Sequence, residues 1–271
     1  MIIPTYNWST VLPYSIASVV DQTMDDFELW VIGDGCTDDS EEVVRAIGDP
    51  RVRWHNLPSN TGSQAGPSNE GLRRARGEFV AYLGHDDLWL PRHLELLTAA
   101  VDAGAPLAFG HQLRIDPGRS PYVWPSAGWH YQSGDWISPS AVVHRRESGT
   151  RVGGWRFPDA CGTADPEADL WARLAERFGP PMGIDAVTSV KLPAGLRRSV
   201  YLERPCDEQE AWLARIRAIR DADTFVREAC AGAGASARRY PREAVDPAIL
   251  GEVPSTALER QRIHRRFKGL D

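Results

Sequence analysis

Two adjacent carboxylates, Asp86 and Asp87, follow the apolar run FVAYL at residues 79–83. Hard divalent cations such as Mg²⁺ prefer oxygen ligands, commonly one or two carboxylates together with the phosphates of a substrate. The pair is therefore a candidate for holding such an ion against a diphosphate. In the alternative interpretation one aspartate caps the helix that follows and the other is solvated. These residues alone leave both interpretations open.

A third carboxylate, Asp34, comes two residues after the apolar run FELWVI at residues 27–32. A carboxylate in this position can accept hydrogen bonds from the base or ribose of a nucleotide. The alternative is an Asx turn or a helix cap formed by Asp34 or Asp38. Taken alone, this segment favours the alternative.

Three further acids, Asp165, Glu167 and Asp169, stand at the start of an amphipathic segment. A carboxylate fixed at a helix start can act as a general base. Acids at this position also stabilise the helix dipole without any catalytic role. Without other information, the structural interpretation is the favoured one.

Apolar runs alternate with helical patterns through the first hundred residues. Strands are predicted at residues 2–3, 27–32, 52–57 and 79–83, and helices at 11–22, 39–47, 66–76 and 91–103. Such alternation predicts an α/β fold with a mostly parallel sheet flanked by helices. Ligands of such sheets bind beyond the carboxyl ends of the strands. The polar residues Thr5, Tyr6, Asp34, Asp86 and Asp87 fall at those ends.

The pattern weakens from about residue 104. Residues 110–164 read as loops with one short strand at 141–143, and we expect them to lie over a site and to contribute to substrate selectivity. Aromatic residues of this segment either stack on a ligand or pack in the core, with at least half expected in the core: Trp124, Trp129, Tyr131 and Trp136. Helices are predicted at 165–178 and 207–229, followed by a basic tail at 258–268.

Composition excludes several classes of protein. The net charge of −6 argues against a nucleic-acid partner. Four scattered cysteines without a CxxC pair predict reduced thiols rather than a zinc site. The sequence has no apolar stretch long enough for a transmembrane segment and shows no targeting peptide. We therefore expect a cytoplasmic protein, with peripheral membrane association left open.

Short motifs follow one another in a fixed order. They are IIPTYN at residues 2–7, GDGCTD at 33–38, NTG at 60–62, PSNEG at 67–71, ARGE at 75–78, GHDD at 84–87, VGGW at 152–155 and PEADLWARL at 166–174. In this order and spacing they resemble the family 2 glycosyltransferases, where the matching motifs include D-D-G-S-T-D, D-x-D-D and E-D-x-D-L-W. The resemblance implies the GT-A fold and covers residues 2 to about 178. It divides the chain into a nucleotide-sugar-binding half (1–103), an acceptor-binding and catalytic half (104–192) and a helical C-terminal extension (193–271).

The resemblance also implies roles for the donor side of the site. Thr5, Tyr6 and Asp34 would hold the nucleoside of a nucleotide-diphosphate sugar. Asp86 would bind the ribose or sugar of that donor. Asp87 would be the principal ligand of a Mg²⁺ or Mn²⁺ cofactor.

On the acceptor side, the family keeps its general base four residues before the tryptophan of D-L-W. Glu167 stands at that position, one methylene longer than the aspartate of the family, with Asp165 and Asp169 as competitors. This chain also departs from the family elsewhere. Gly33 and Gly84 replace frequent aspartates, Ser68 replaces an arginine that often contacts the donor, and Pro166 replaces a glutamate.

The expected function is inverting transfer of a sugar to a carbohydrate or other hydroxyl-bearing acceptor. A metal-dependent nucleotidyltransferase is one alternative, although residues 2–10 contain no Lys or Arg for a triphosphate-binding loop. A binding protein that has lost turnover is the other alternative. The carboxylate at Glu167 discriminates between the enzyme and the inactive protein.

Overall fold

The structure is a computed structural model that describes residues 1–125, 129–162, 164–197 and 200–231, with a few positions between 256 and 266. It confirms the predicted α/β class, because a central sheet is covered by helices on both faces. Most of the basic tail at 258–268 lies outside the described residues. Within the described ranges, no helix combines the length and apolar character needed to cross a bilayer.

The first three strands form a parallel unit that matches the prediction. They are β1 (Ile2–Thr5), β2 (Leu29–Gly33) and β3 (Val52–Asn56), paired in that order. The connecting helices are α1 (Leu12–Val20), α2 (Ser40–Ala46) and α3 (Ala65–Arg74). Because the strands are parallel, their carboxyl ends all lie at one edge of the sheet.

Six further strands complete the sheet. They are β4 (Phe79–Ala81), β5 (Leu88–Trp89), β6 (Leu107–Arg114), β7 (Tyr122–Trp124), β8 (Val142–Arg145) and β9 (Met182–Lys191). Their order is β4-β8-β6-β9-β5, with β7 paired to β6. A parallel bridge between Ile2 and Tyr82 places β4 beside β1 and joins the two groups of strands.

The prediction of a mostly parallel sheet is corrected, because the sheet is mixed. Strand β8 runs antiparallel to both β4 and β6, whereas β9 is parallel to β6 and antiparallel to β5. The sequence pattern missed β6 and β9 for a physical reason. Strand β6 is buried along nearly its whole length but includes Gly110, His111 and Gln112, so it does not read as an apolar run.

The later helices are α4 (His93–Asp102), α5 (Arg146–Arg151), α6 (Pro166–Phe178), α7 (Val200–Glu203), α8 (Asp207–Arg217) and α9 (Ala222–Cys230). Helix α6 starts with Pro166 at its first position, where the missing N–H costs no hydrogen bond. The helix predicted at 207–229 is in fact two helices. Asp221 interrupts it, because its side chain accepts a hydrogen bond of 2.7 Å from the backbone N–H of Thr224 and caps α9.

Helices on the two faces of the sheet cover two separate hydrophobic cores. Successive side chains of one strand pack in opposite cores, because they point to opposite faces of the sheet. Ile2 and Phe109 pack in the core beneath α3 and α6, whereas Ile3 and Ala108 pack in the core beneath α1 and α4. A third cluster joins α8 and α9 to β5 and the end of β9. This packing holds the carboxyl ends of β1, β2, β4 and β9 in fixed positions.

Candidate active site

The carboxyl ends of the first parallel strands bring the predicted donor-binding residues together. Thr5 ends β1, and its carbonyl oxygen accepts a hydrogen bond of 2.8 Å from the backbone N–H of Asp34, which follows β2. The Thr5 hydroxyl lies 3.1 Å from Nδ1 of His85, next to the carboxylate pair. Three separate segments of the sequence therefore meet around Thr5.

Asp34 organises the loop that follows β3. Its side chain is buried, and Oδ1 accepts hydrogen bonds from the backbone N–H of Thr61 at 3.0 Å and from the Thr61 hydroxyl at 2.8 Å. The Asx turn considered as the alternative belongs to Asp38 instead. Its Oδ1 accepts from the backbone N–H of Ser40 at 3.2 Å, at the start of α2. The nucleoside contact of Asp34 stays a prediction.

The turn after β1 is tied to the turn after β2. Asn7 has a φ of 49°, in the left-handed region that asparagine tolerates better than most residues. Its Oδ1 accepts a hydrogen bond of 2.7 Å from the backbone N–H of Thr37. Tyr6, the other predicted nucleoside contact, lies half-buried in this same turn.

Asp87 is completely buried and both of its carboxylate oxygens are engaged. Oδ2 accepts hydrogen bonds from the Ser140 hydroxyl at 2.5 Å and from Nζ of Lys191 at 2.8 Å, and Oδ1 accepts from the backbone N–H of Leu192 at 3.0 Å. Burial opposes the charge on Lys191, but the carboxylates of Asp87 and Asp86 outweigh it and raise the pKa of the ammonium group. Lys191 therefore stays charged and balances one carboxylate.

Asp86 keeps more capacity for a ligand than Asp87. Its Oδ2 accepts a hydrogen bond of 3.2 Å from the backbone N–H of Ala194, and no described residue is hydrogen-bonded to its Oδ1. Neither aspartate caps helix α4, whose N-cap is Arg92, and both are buried. The interpretation in which one aspartate caps the following helix and the other is solvated is therefore wrong.

A cation at this pair would depend on Asp86 and on substrate phosphates. A Cβ placed on Gly84 would lie 2.9 Å from Oδ1 of Asp86 and 2.9 Å from Oδ2 of Asp87, so both oxygens face the same turn. Among the described residues, no three His, Cys, Asp or Glu side chains gather in a way that could hold a metal ion. Because Lys191 already balances Asp87, the contacts fit a cation at Asp86 better than at Asp87. The assignment of the metal to Asp87 stays a prediction.

Glu167 lies in the first turn of α6 with a donor on each oxygen. Oε1 accepts a hydrogen bond of 2.7 Å from the indole N–H of Trp136, and Oε2 accepts one of 2.9 Å from the amide of Gln64. Burial raises the pKa of Glu167 and the charge of Asp165 raises it further, whereas Trp136 and Lys191 lower it. A carboxylate with a raised pKa suits a general base. Its partner Gln64 lies in the loop that Thr61 ties to Asp34, so Glu167 lies at the same end of the sheet as Asp34.

The competitor Asp169 is engaged elsewhere. Its Oδ2 lies 2.6 Å from the guanidinium of Arg173, and its Oδ1 lies 3.3 Å from that of Arg156. Asp165 is the N-cap residue of α6 and acts on Glu167 through its charge. These contacts favour Glu167 among the three acids, and its catalytic role stays a prediction.

The sequence interpretation missed Lys191, Ser140 and Gln64. One signal for Lys191 was available, because it is one of only two lysines among 31 basic residues. Of the loop aromatics, Trp129 and Tyr131 pack against the core beneath α6, whereas Trp136 reaches Glu167. Only the three-dimensional arrangement could identify Ser140 and Gln64, because single polar residues in loops carry no pattern.

The chain belongs to glycosyl transferase family 2, whose family model matches residues 1–163. Among curated relatives, it is 34% identical over 96 residues to the UDP-Glc:alpha-D-GlcNAc-diphosphoundecaprenol beta-1,3-glucosyltransferase WfgD of Escherichia coli. That match covers 35% of this chain and 38% of the relative. The matches to other curated relatives are similar in length, and the chain spans less than two fifths of the length of each of these relatives.

Solved structures support the GT-A fold. TarS of S. aureus superposes with a TM-score of 0.60 at 19% identity, covering 80% of this chain and 41% of TarS. The mannosyltransferase PcManGT of Pyrobaculum calidifontis, solved with GDP-Man and Mn²⁺, superposes with a TM-score of 0.54 at 19% identity. That match covers 99% of this chain and 82% of the other. The predicted fold is confirmed.

Proposed function

We propose that this chain is an inverting glycosyltransferase that moves a sugar from a nucleotide-diphosphate sugar to a hydroxyl-bearing acceptor. The observation that carries the proposal is the contact between Glu167 and Gln64, which lies in the loop that Thr61 ties to Asp34 at the carboxyl end of β2. Thr5 lies at the same end, and Lys191 pairs with Asp87 beside it. This arrangement supports the roles of a base and a charge-stabilising group beside a nucleotide-binding edge, in a chain of this family.

The reaction is a single displacement. Glu167 takes the proton of the acceptor hydroxyl as the oxygen attacks the anomeric carbon. The bond between that carbon and the diphosphate oxygen breaks, and its electron pair stays on the diphosphate. Attack from the side opposite the leaving group inverts the anomeric centre.

We assign the nucleoside to Thr5, Tyr6 and Asp34, and we assign Asp86 both to the ribose or sugar and, through its Oδ1, to a divalent cation. The name of WfgD specifies UDP-Glc, and PcManGT was solved with GDP-Man. Both are nucleoside diphosphates that carry a sugar, which supports this class of donor. The loops between β6 and β8 would shape the acceptor pocket, since Trp136 of these loops contacts Glu167.

A Mg²⁺ or Mn²⁺ ion bound at this edge would act as a Lewis acid on the leaving diphosphate. The Mn²⁺ in the PcManGT structure supports a divalent cation in such a site. Asp86 has an oxygen available for it, whereas both oxygens of Asp87 already accept hydrogen bonds. Lys191 places a further positive charge beside the pair.

The test is release of nucleoside diphosphate from a panel of nucleotide sugars in the presence of Mn²⁺ or Mg²⁺, with Glu167→Gln as the matched control. Release by the natural chain, and much less by the control, supports the proposal. If donors bind but no member of the panel is hydrolysed or transferred, the chain is a nucleotide-sugar-binding protein and the enzymatic proposal is overturned.

A further inference from the structure

We infer that Gln64 and Trp136 are positioning residues that fix the carboxylate of Glu167 toward the acceptor. The inference rests on the proposed function, in which Glu167 is the base. Each residue donates one N–H to a different oxygen of the carboxylate, at 2.9 Å from Gln64 and 2.7 Å from Trp136. The two donors come from separate segments, and neither lies on the helix that carries Glu167.

Hydrogen-bond donors on both carboxylate oxygens matter because the side chain of Glu167 is long. Glu167 stands where the family resemblance places an aspartate, and the added methylene gives the carboxylate another rotatable bond. Without restraint, that bond lets the carboxylate leave the geometry needed for proton transfer, which requires heavy atoms roughly 2.6–3.2 Å apart. Donors on both oxygens restrict the rotation of the terminal group as well as its position.

Both donors are themselves held in place. Gln64 immediately precedes α3 in the loop that Thr61 ties to Asp34 through two hydrogen bonds of 3.0 and 2.8 Å. On the other side, the carbonyl oxygen of Ile137, next to Trp136, accepts a hydrogen bond of 2.9 Å from the indole of Trp171. Trp171 lies on α6, so Trp136 is fixed to the helix whose carboxylate it holds.

Two charged groups lie around Glu167, Asp165 at the N-cap of its own helix and Lys191 at the end of β9. The Cys161 thiol in the loop before α6 is neutral, because burial and the neighbouring carboxylates raise its pKa to about 11. Against this background, an N–H donor favours the ionised carboxylate and lowers its pKa. Removing either donor therefore raises the pH at which the base becomes protonated, in addition to loosening its position.

The experiment compares Gln64→Met and Trp136→Phe with the natural chain, measuring kcat against pH and donor affinity by calorimetry. Each variant should lower kcat roughly 10-fold and move the acidic limb of the kcat profile upward by about one pH unit. Donor affinity should stay unchanged. The control is Trp30→Phe, which removes a similar indole contact of 3.2 Å to Glu28, the residue just before β2. It should behave like the natural chain.

Two companion variants separate the possible failures. Glu167→Asp restores the residue of the family but withdraws the carboxylate from both donors, so we expect turnover to fall. Two results would overturn the inference that Gln64 and Trp136 position Glu167. One is full activity of Glu167→Asp, and the other is a kcat profile whose acidic limb stays in place in both Gln64→Met and Trp136→Phe. If Glu167→Gln has lost turnover in the same series, the proposed function survives that result. Normal turnover of Glu167→Gln overturns the assignment of Glu167 as the base, whereas the absence of turnover in the natural chain overturns the proposed function itself.

Discussion

At the scale of single residues, two departures from the family motifs have a steric explanation. Gly33 and Gly84 stand where aspartates are frequent. A Cβ on Gly33 would lie 2.5 Å from Oδ1 of Asn56, and one on Gly84 would lie 2.9 Å from oxygens of both Asp86 and Asp87. In this chain neighbouring side chains already fill the space that an aspartate would need, so we expect donor binding to depend on the remaining carboxylates.

The first prediction concerns the base. Glu167→Gln keeps the shape of the side chain and removes its basicity, so turnover should fall by roughly 10²- to 10⁴-fold while donor binding stays near that of the natural chain. Steady-state kinetics with a transferred donor, together with calorimetry, measures both quantities. The competing result is normal turnover of Glu167→Gln with loss of turnover in Asp165→Asn, which would make Asp165 the base.

The second prediction addresses the cation. Asp86→Asn should weaken metal-dependent binding of a nucleoside diphosphate much more than metal-free binding, because it removes the carboxylate oxygen that remains available beside the turn. Calorimetry with and without Mn²⁺ gives both affinities. If Asp86→Asn binds as the natural chain does and a folded Asp87→Asn loses the metal effect, the ligand is Asp87, as the sequence predicted.

The third prediction tests the buried pair of Asp87 and Lys191. Asp87→Asn leaves the ammonium of Lys191 without its carboxylate partner in a buried position, which should lower the free energy of unfolding by about 3–5 kcal/mol. The double variant Asp87→Asn, Lys191→Met should recover part of that loss, because it removes the uncompensated charge. Denaturant unfolding at constant pH measures the three proteins. Equal stability of Asp87→Asn and the natural chain would show that the pair is not structural.

At the scale of the elements, the parallel strands of the first half follow from the sequence and the rest of the sheet does not. Strands β1, β2 and β4 are short apolar runs and β3 alternates, and polar turns follow them, so the pattern located the edge that carries Thr5, Asp34 and Asp86. Strand β9 begins with exposed residues, and β6 carries buried polar ones. Those two strands place Lys191 at the site, which explains why it was missed although the motif positions were found.

The fourth prediction belongs to the edge formed by β2 and β3. Gly33 is the last residue of β2, and an alanine there would press on Asn56 and Trp54 of the neighbouring strand. Overpacking of this kind costs about 1–3 kcal/mol. Gly33→Ala should therefore lower the melting temperature and weaken donor binding, since Asp34 follows directly. Gly77→Ala is the control, since a Cβ there would meet only the carbonyl oxygen of Phe79, at 3.5 Å. Gly48→Ala is unsuitable, because Gly48 has a φ of 71° and alanine would be strained in that conformation.

At the scale of the whole molecule, two completely buried histidines lie on opposite faces of the sheet. His93, the first residue of α4, stacks on Trp89 with the ring centroids 4.2 Å apart, and His144 lies close to Tyr82 and Trp171 beneath α6. Burial lowers the pKa of His93 to about 3 and that of His144 to about 4, from an ordinary value of 6.5. Both imidazoles are therefore neutral in the folded chain at pH values where the unfolded chain is already protonated.

The fifth prediction follows from this difference between the folded and unfolded states. Above pH 6.5 neither state holds these protons and the full stability is present. As the pH falls, the unfolded chain takes up protons that the folded chain excludes, so stability is lost until the pH reaches the folded pKa values. The loss should be on the order of a few kcal/mol for each histidine. Denaturant unfolding between pH 7 and pH 4.5 measures it.

Matched variants assign this loss to the two buried imidazoles. His93→Gln and His144→Gln replace a titrating side chain by a neutral polar one, so each should flatten the dependence of the unfolding free energy on pH, even where it lowers the stability at pH 7. His130→Gln should leave the slope unchanged, because His130 is exposed. A slope that persists in the double variant His93→Gln, His144→Gln would assign the acid sensitivity to carboxylates with a lowered pKa in the folded chain, such as Glu70, where the hydrogen bond from Arg73 lowers the pKa to about 2. In that case acid would destabilise the chain at the ion pairs of Glu70 rather than in its two cores.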